Sequence, residues 1–352
     1  MREEGEALAS ATGNAGLLGA GKFRQTLQSS LAGVTRGRRD CGTRVRIMLQ
    51  RFLASLEIVL LLLASATPAR SAENNPSAPL DVSGRGALPS NDTAPGATWK
   101  DSPFSPLDFS LRAGLASDYI YRGTTLSAHQ PVVGAAVEAS FSLLYAGATV
   151  GSVKLPTNPA AELTFNGGIR PKIWDIDFDF GWTYLQYPGE AEGASTDYWE
   201  TFARGNYKLT DAVSIAAGFA YSPSISNTGA WSKYAATGLS VELPRDLLPN
   251  DIGVSLSGVV GYFWFGNQAP ALGGFPLPAY THWNAGVTFS RKMFNLDLRY
   301  SNTNLSKENC FVFTGDPGAV PGGRINPINN PDGLVSNWCG PTLVAKLWFA
   351  LN

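Results

Sequence analysis

From Trp174 to Tyr184 the chain alternates without interruption. Trp174, Ile176, Phe178, Phe180, Trp182 and Tyr184 occupy one phase; Asp175, Asp177, Asp179, Gly181 and Thr183 occupy the other. Successive side chains of a β-strand point to opposite faces, so a period of two predicts a strand, here over 173–187. An apolar flank with aromatics at both ends, backed by carboxylates, suits a strand that faces lipid on one side and a watery lumen on the other. The same alternation recurs in about twelve segments, roughly 108–117, 131–141, 143–153, 160–170, 173–187, 196–209, 211–221, 233–243, 251–265, 280–290, 293–302 and 341–351. Transmembrane strands need about ten residues each.

The connections carry independent information. Short ones fall near Ser142, Pro171-Lys172, Thr210 and Arg291-Lys292, with a slightly longer one over Pro244–Asn250. Long connections rich in Gly, Pro and Asn occupy 118–130, 154–159, 188–195, 222–232, 266–279 and 303–340. Short and long alternate throughout, as turns and loops do at the two ends of an outer-membrane barrel. The fold class that follows is all-β, an antiparallel up-and-down transmembrane barrel of about twelve strands.

Phasing the strands predicts a lipid face. It holds Phe109, Leu111 and Leu115; Leu163, Phe165 and Ile169; Val213, Ile215 and Phe219; and Ile252, Val254, Leu256 and Tyr262. Later strands add Trp283, Val287 and Phe289; Phe294, Leu296, Leu298 and Tyr300; and Leu343, Leu347 and Phe349. The opposite phase collects the charges: Arg112, Glu138, Glu162 and Arg170; Asp175, Asp177 and Asp179; Glu200 and Arg204; Asp297, Arg299 and Lys346. Charge at the lipid midplane costs about 2–4 kcal/mol for Arg or Lys, which explains the segregation.

A mean hydropathy near zero is compatible with such a protein, because alternation averages out. The only continuously apolar run, Ile58–Ala66, is too short to span a bilayer as a helix. With Arg51 before it and small residues after it, 48–72 reads as a signal peptide beginning at Met48, cleaved after Ala66 or Ser71. Residues 1–47 then precede the true start, or else form a long amphipathic arm. Residues 73–107, rich in Pro, Ser, Asn and Ala, read as a disordered linker, leaving 108–352 for the barrel. A net charge of −1 gives no reason to expect nucleic acid as a partner. Of the three cysteines, Cys41 lies ahead of the signal, while Cys310 and Cys339 share the last long loop and suit a disulfide in an oxidising compartment.

Candidate chemistry is sparse, and each feature has a bland alternative. Asp175, Asp177 and Asp179 could form a cation-attracting stripe, or be cancelled by Arg112, Arg204 and Arg299. Asp118 and Arg122, after the first strand, could line a constriction or pin the first loop as an ion pair. His282, on the lumenal phase, reads as a hydrogen-bonded filler in preference to a triad member; His129 lies in a loop. Trp231, Trp264 and Trp338 read as interface anchors, with sugar stacking as the alternative. The sequence contains no zinc spacing, P-loop or dinucleotide motif, and so implies no metal, cofactor or enzymatic activity.

The segment Asp118-Tyr119-Ile120-Tyr121-Arg122-Gly123, followed by Pro131 and Gly134, resembles the opening motif of the TorF-like porins of proteobacteria. Tyr184-Leu185-Gln186-Tyr187-Pro188-Gly189 resembles a second motif of that family. Two departures stand out. Thr124-Thr125-Leu126 replaces the family's aliphatic, Ser/Thr and Gln run, and the chain closes on Phe349-Ala350-Leu351-Asn352 without a terminal aromatic. The resemblance implies an outer-membrane barrel surrounded by lipid and passing small solutes by passive diffusion. Arg112, Asp118, Arg122, Glu138, Glu162, Asp175, Asp177, Asp179, Glu200, Arg204, Asp297 and Arg299 are the candidate pore lining. A non-conducting barrel acting through its loops and an envelope-modifying enzyme are the alternatives. The oligomeric state is not legible.

Overall fold

The structure, a computed structural model, describes residues 107–351. The expectations for 1–47, for the signal peptide 48–72 and for the linker up to 106 lie outside the described residues. Twelve long antiparallel strands make the wall. They are β1 Leu107–Ala116, β2 Val132–Phe141, β3 Leu144–Gly151, β4 Glu162–Ile169, β5 Ile176–Gln186 and β6 Tyr198–Lys208. The second half comprises β7 Val213–Ser222, β8 Ser232–Glu242, β9 Gly253–Phe265, β10 Tyr280–Arg291, β11 Phe294–Thr303 and β12 Thr342–Leu351. Each strand pairs with its neighbours in sequence, and β12 returns to pair with β1, Leu115 opposite Leu347. The ring is closed, so no edge is left with unpaired backbone groups.

The connections have the expected parity. At one end the strands are joined by tight turns, such as Ser142-Leu143 and Lys292-Met293, with Ser142 and Lys292 left-handed. At the other end lie all the long loops. The predicted 173–187 strand is corrected here. Lys172 and Ile173 pair back onto Asp177 and Ile176, and Trp174, at φ 55°, forms the turn with Asp175. Alternation continues through these residues, but alternation alone does not say where a chain reverses.

The outward phase is apolar around the ring, with Val133, Leu144, Leu115, Phe219, Leu256 and Leu343 all exposed. Aromatic side chains band it at two heights: Trp182, Trp199, Trp231, Trp264 and Trp283 towards the loops, Phe141, Trp174, Tyr207 and Phe294 towards the turns. Val254 and Leu296, predicted on this face, are buried. Register sets them in one row with Phe289 and Leu347, and these bulky neighbours cover them. Ile252 precedes β9 and is not part of the wall.

The inward phase is not uniformly polar, a second correction. Its turn-end half carries most of the charges. Its loop-end half holds an aromatic cluster that includes Tyr121, Tyr187, Tyr198, Phe202, Tyr234, Phe263, Phe265 and Tyr280. β9 advertises this in its sequence: over Tyr262–Phe265 both phases are aromatic, with Tyr262 and Trp264 outward and Phe263 and Phe265 inward.

Candidate functional site

The loop after β1 does not reach outward. It folds into the loop-end half of the barrel as a small hairpin, Ile120–Tyr121 pairing with Thr124–Thr125. Two consecutive left-handed residues make its turn, Arg122 at φ 47° and Gly123 at φ 86°. Both central residues at positive φ define the tight, primed turn that matches the twist of a two-stranded ribbon. Glycine adopts this freely; arginine does so at about 1–2 kcal/mol, so its side chain must recover that elsewhere. Gly123 is also required by space. A Cβ there would run into Thr303 Cγ2 and stand 2.8 Å from His282 Cβ.

Arg122 is 2 % exposed and makes a two-pronged pair with Glu200 on β6, Nη1 and Nη2 each 2.9 Å from a carboxylate oxygen. Its guanidinium lies over the rings of Tyr234 (4.0 Å), Phe263 (4.5 Å) and Tyr121 (4.7 Å). A planar cation that accepts both a fork of carboxylate oxygens and aromatic faces is a role lysine does not fill. Tyr234 Oη is 2.9 Å from His282 Nε2, and Gly261 leaves room for that contact, since a Cβ would fall 2.6 Å from the imidazole nitrogen. His282 is thus a lumenal, hydrogen-bonded residue on the floor beneath the hairpin.

Asp118 and Arg122 have different partners. Asp118 accepts from Thr125 Oγ1 (2.6 Å), Ser127 Oγ (2.8 Å) and His129 Nδ1 (2.8 Å), all within the same loop. The hairpin also touches the second loop end, where Tyr119 Oη donates to Glu162 at 2.6 Å and Tyr187 Oη donates to the other oxygen at 2.8 Å. Glu162 and Glu200 are therefore buried acceptors for Tyr119 and Arg122 of the first loop.

The last loop lies against this hairpin. Its helix, α1 Lys307–Thr314, is capped by Ser306, whose Oγ accepts from Asn309 N, and its Cys310 is bonded to Cys339. Phe313 packs on Phe265 and Tyr280 at 5.1 and 5.3 Å between ring centres. Trp338, expected as an interface anchor, is instead buried beside the disulfide. Thr125 N donates to Trp338 O at 2.9 Å, Thr303 Oγ1 donates to Cys339 O at 2.8 Å, and His129 Nε2 reaches Asn337 O at 3.3 Å. The hydrogen bond to Asp118, above all, raises the His129 pKa above the usual histidine range, against its partial burial.

The turn-end half is organised differently. Arg170 forks onto Glu138 at 2.6 and 3.0 Å and stacks 3.6 Å over Tyr145. Tyr145 Oη donates to Asp179 at 2.8 Å, which Arg170 and Arg204 approach at 3.8 and 3.7 Å. Across the lumen Arg299 pairs with Asp297 (2.9 Å) and reaches Asn284 (2.7 Å) and Ser257 (2.8 Å). Arg112 is buried on β1. The carboxylate stripe expected on β5 is divided. Asp179 belongs to the buried network, Asp177 is a rim residue with Lys172 at 3.6 Å, and Asp175 is in the turn. Among the described residues no cluster of three or more metal-ligating side chains occurs.

Residues 100–320 match the family described as "Bacterial protein of unknown function (Gcw_chp)". No curated protein matches the sequence. Among solved structures, the KdgM porin aligns at 7% identity and TM-score 0.39, covering 69% of this chain and 98% of that one. The NanC porin gives the same identity and score over 69% and 99%. OmpT, an outer membrane protein of Vibrio cholerae, aligns at 10% identity and TM-score 0.29 over 69% and 98%. The barrel assignment stands on the strand pairings themselves.

Proposed function

The chain belongs to the Gcw_chp family, and from that premise we propose that it is an outer-membrane barrel of the porin kind, passing small solutes by passive diffusion. One observation carries the reading: a closed ring of twelve strands with an exposed apolar band between two aromatic girdles. Such a surface is at home only in a bilayer, where closure satisfies every backbone group of the wall. In this reading the tight turns face the periplasm and the long loops face outward. Residues 48–72 direct export and are removed near Thr67–Glu73. The resemblance of 118–123 to TorF-like porins supports the same assignment, as does the polar lining of the turn-end half.

A non-conducting barrel is the second reading, favoured by the aromatic filling and inserted hairpin of the loop-end half. Recording from purified, heat-modifiable protein in planar bilayers separates the two. Discrete current steps in potassium chloride are expected. Their absence, both for the native chain and for one whose lumen has been cleared, would leave only the second reading.

A further inference from the structure

We propose that the hairpin of residues 118–130 is the gate of the barrel: a preformed plug that leaves the lumen as one piece and is latched by the disulfide-stapled last loop. This rests on the porin reading. The wall does not need the hairpin, because its two short strands pair only with each other and take no part in the twelve-strand ring. The hairpin is braced from within, since Thr125, Ser127 and His129 all bind Asp118 of the same loop, and these bonds travel with it. A bare two-stranded hairpin is marginal in water, so this bracing is what would let it move without melting.

Withdrawal uncovers Ile120, Tyr121 and Leu126, which pack into the apolar clusters of the lumen and favour the closed state, and it breaks polar interactions that water can replace. Arg122 and Glu200 form the central one, and Tyr119 with Glu162 a second. Once the hairpin leaves, both carboxylates face a water-filled lumen, so neither is stranded in an apolar interior. Holding it in is the task of the last loop, whose Trp338 and Asn337 carbonyls engage Thr125 and His129 beside the Cys310–Cys339 bond.

The test uses full-length protein in planar bilayers, each variant first shown to be heat-modifiable. The native barrel should spend most of its time closed. Replacing 119–126 with a short, flexible Gly-Ser linker should hold it open. Arg122→Ala, which keeps the loop length, should raise the open fraction about a hundredfold, as expected when one partner of a buried ion pair is removed. The double change Cys310→Ser, Cys339→Ser should raise it by a smaller factor. If native and linker variants conduct with equal open fractions, the gate is wrong while the porin reading survives. If neither conducts, the porin reading falls and the gate falls with it.

Discussion

The two halves of the lumen are built on the same inward phase of the same twelve strands, yet they hold charge in different ways. In the loop-end half a single guanidinium, Arg122, is sealed among aromatic rings and bound by one carboxylate, with side-chain exposures of 2% and 4%. In the turn-end half, charges interlock among themselves and with Ser, Thr and Asn side chains, and the guanidinium is less enclosed, Arg299 being 17% exposed and its partner Asp297 5%. A buried pair walled in by aromatic rings depends on each partner, whereas a wider polar network can redistribute hydrogen bonds when one member is lost. The loop-end half is therefore the brittle one.

The largest expected effect puts this contrast to the test. A double-mutant cycle of Arg122→Ala with Glu200→Ala, read from denaturant unfolding in detergent, should give a coupling of about 3 kcal/mol or more. The same cycle on Arg299 and Asp297 should give a smaller coupling, about 1–2 kcal/mol, because Thr288, Asn284 and Ser257 share the two charges. Equal couplings would erase the distinction between the halves. Next in size is the latch. The Cys310–Cys339 bond closes a span of 29 residues, which restricts the unfolded chain by about 3–4 kcal/mol. Losing it should loosen the loop-end half first, so limited proteolysis should cut within 304–341 before any wall strand is attacked. Simultaneous cleavage throughout would mean that the halves do not uncouple.

The wall is a control that both halves share. Phe178, on the outward phase of β5 two residues from its turn-end start, replaced by arginine should cost about 1–2 kcal/mol, between the interface and midplane values, and lower the yield of assembled barrel. Asp177→Asn, one residue away at the turn-end rim, should assemble normally. If the two variants form heat-modifiable barrels equally well, the inward and outward phases are exchanged, and the comparison between lumen halves has no basis.

How legible this molecule is depends on the range of the interaction. Period-two patterning is local, and all twelve strands follow from it, as do the loop and turn ends from connection lengths. The Trp174-Asp175 turn was hidden because its residues keep the alternation on both sides of the reversal. Pairings across the lumen depend on strand stagger and closure, so Glu138 with Arg170, or Arg122 with Glu200, could not be read from spacings of 32 and 78 residues. The inward course of the first loop left one signal: Arg122-Gly123 is a primed-turn pair between two short runs of β-formers, and a hairpin so tight had to lie against something. The double-sided aromatics of Tyr262–Phe265 were its counterpart on the wall.

The smallest expected effect lies where the plug meets the latch, and pH reaches it. Protonated His129 donates from Nδ1 to Asp118 and from Nε2 to the Asn337 carbonyl, with Asp316 the other carboxylate acting on it. Asn337 itself carries no charge, so both acidic neighbours favour the proton, in keeping with the raised pKa. A group whose pKa is raised in the folded state stabilises fully below its unfolded value, about 6.5. That contribution disappears as pH rises through the higher folded value. The neutral ring has one N–H and can keep only one of the two bonds, so the junction should weaken from about pH 6 towards alkaline conditions. Partial exposure limits the effect to a few tenths of a kcal/mol. Amide hydrogen exchange of Thr125 N, which donates to Trp338 O, is the local readout. After correction for the intrinsic pH dependence of exchange, its protection should fall with rising pH in the native chain and stay level in His129→Gln. If both chains show the same slope, the pH response of the junction does not come from His129, and the histidine is only a spacer between the two loops.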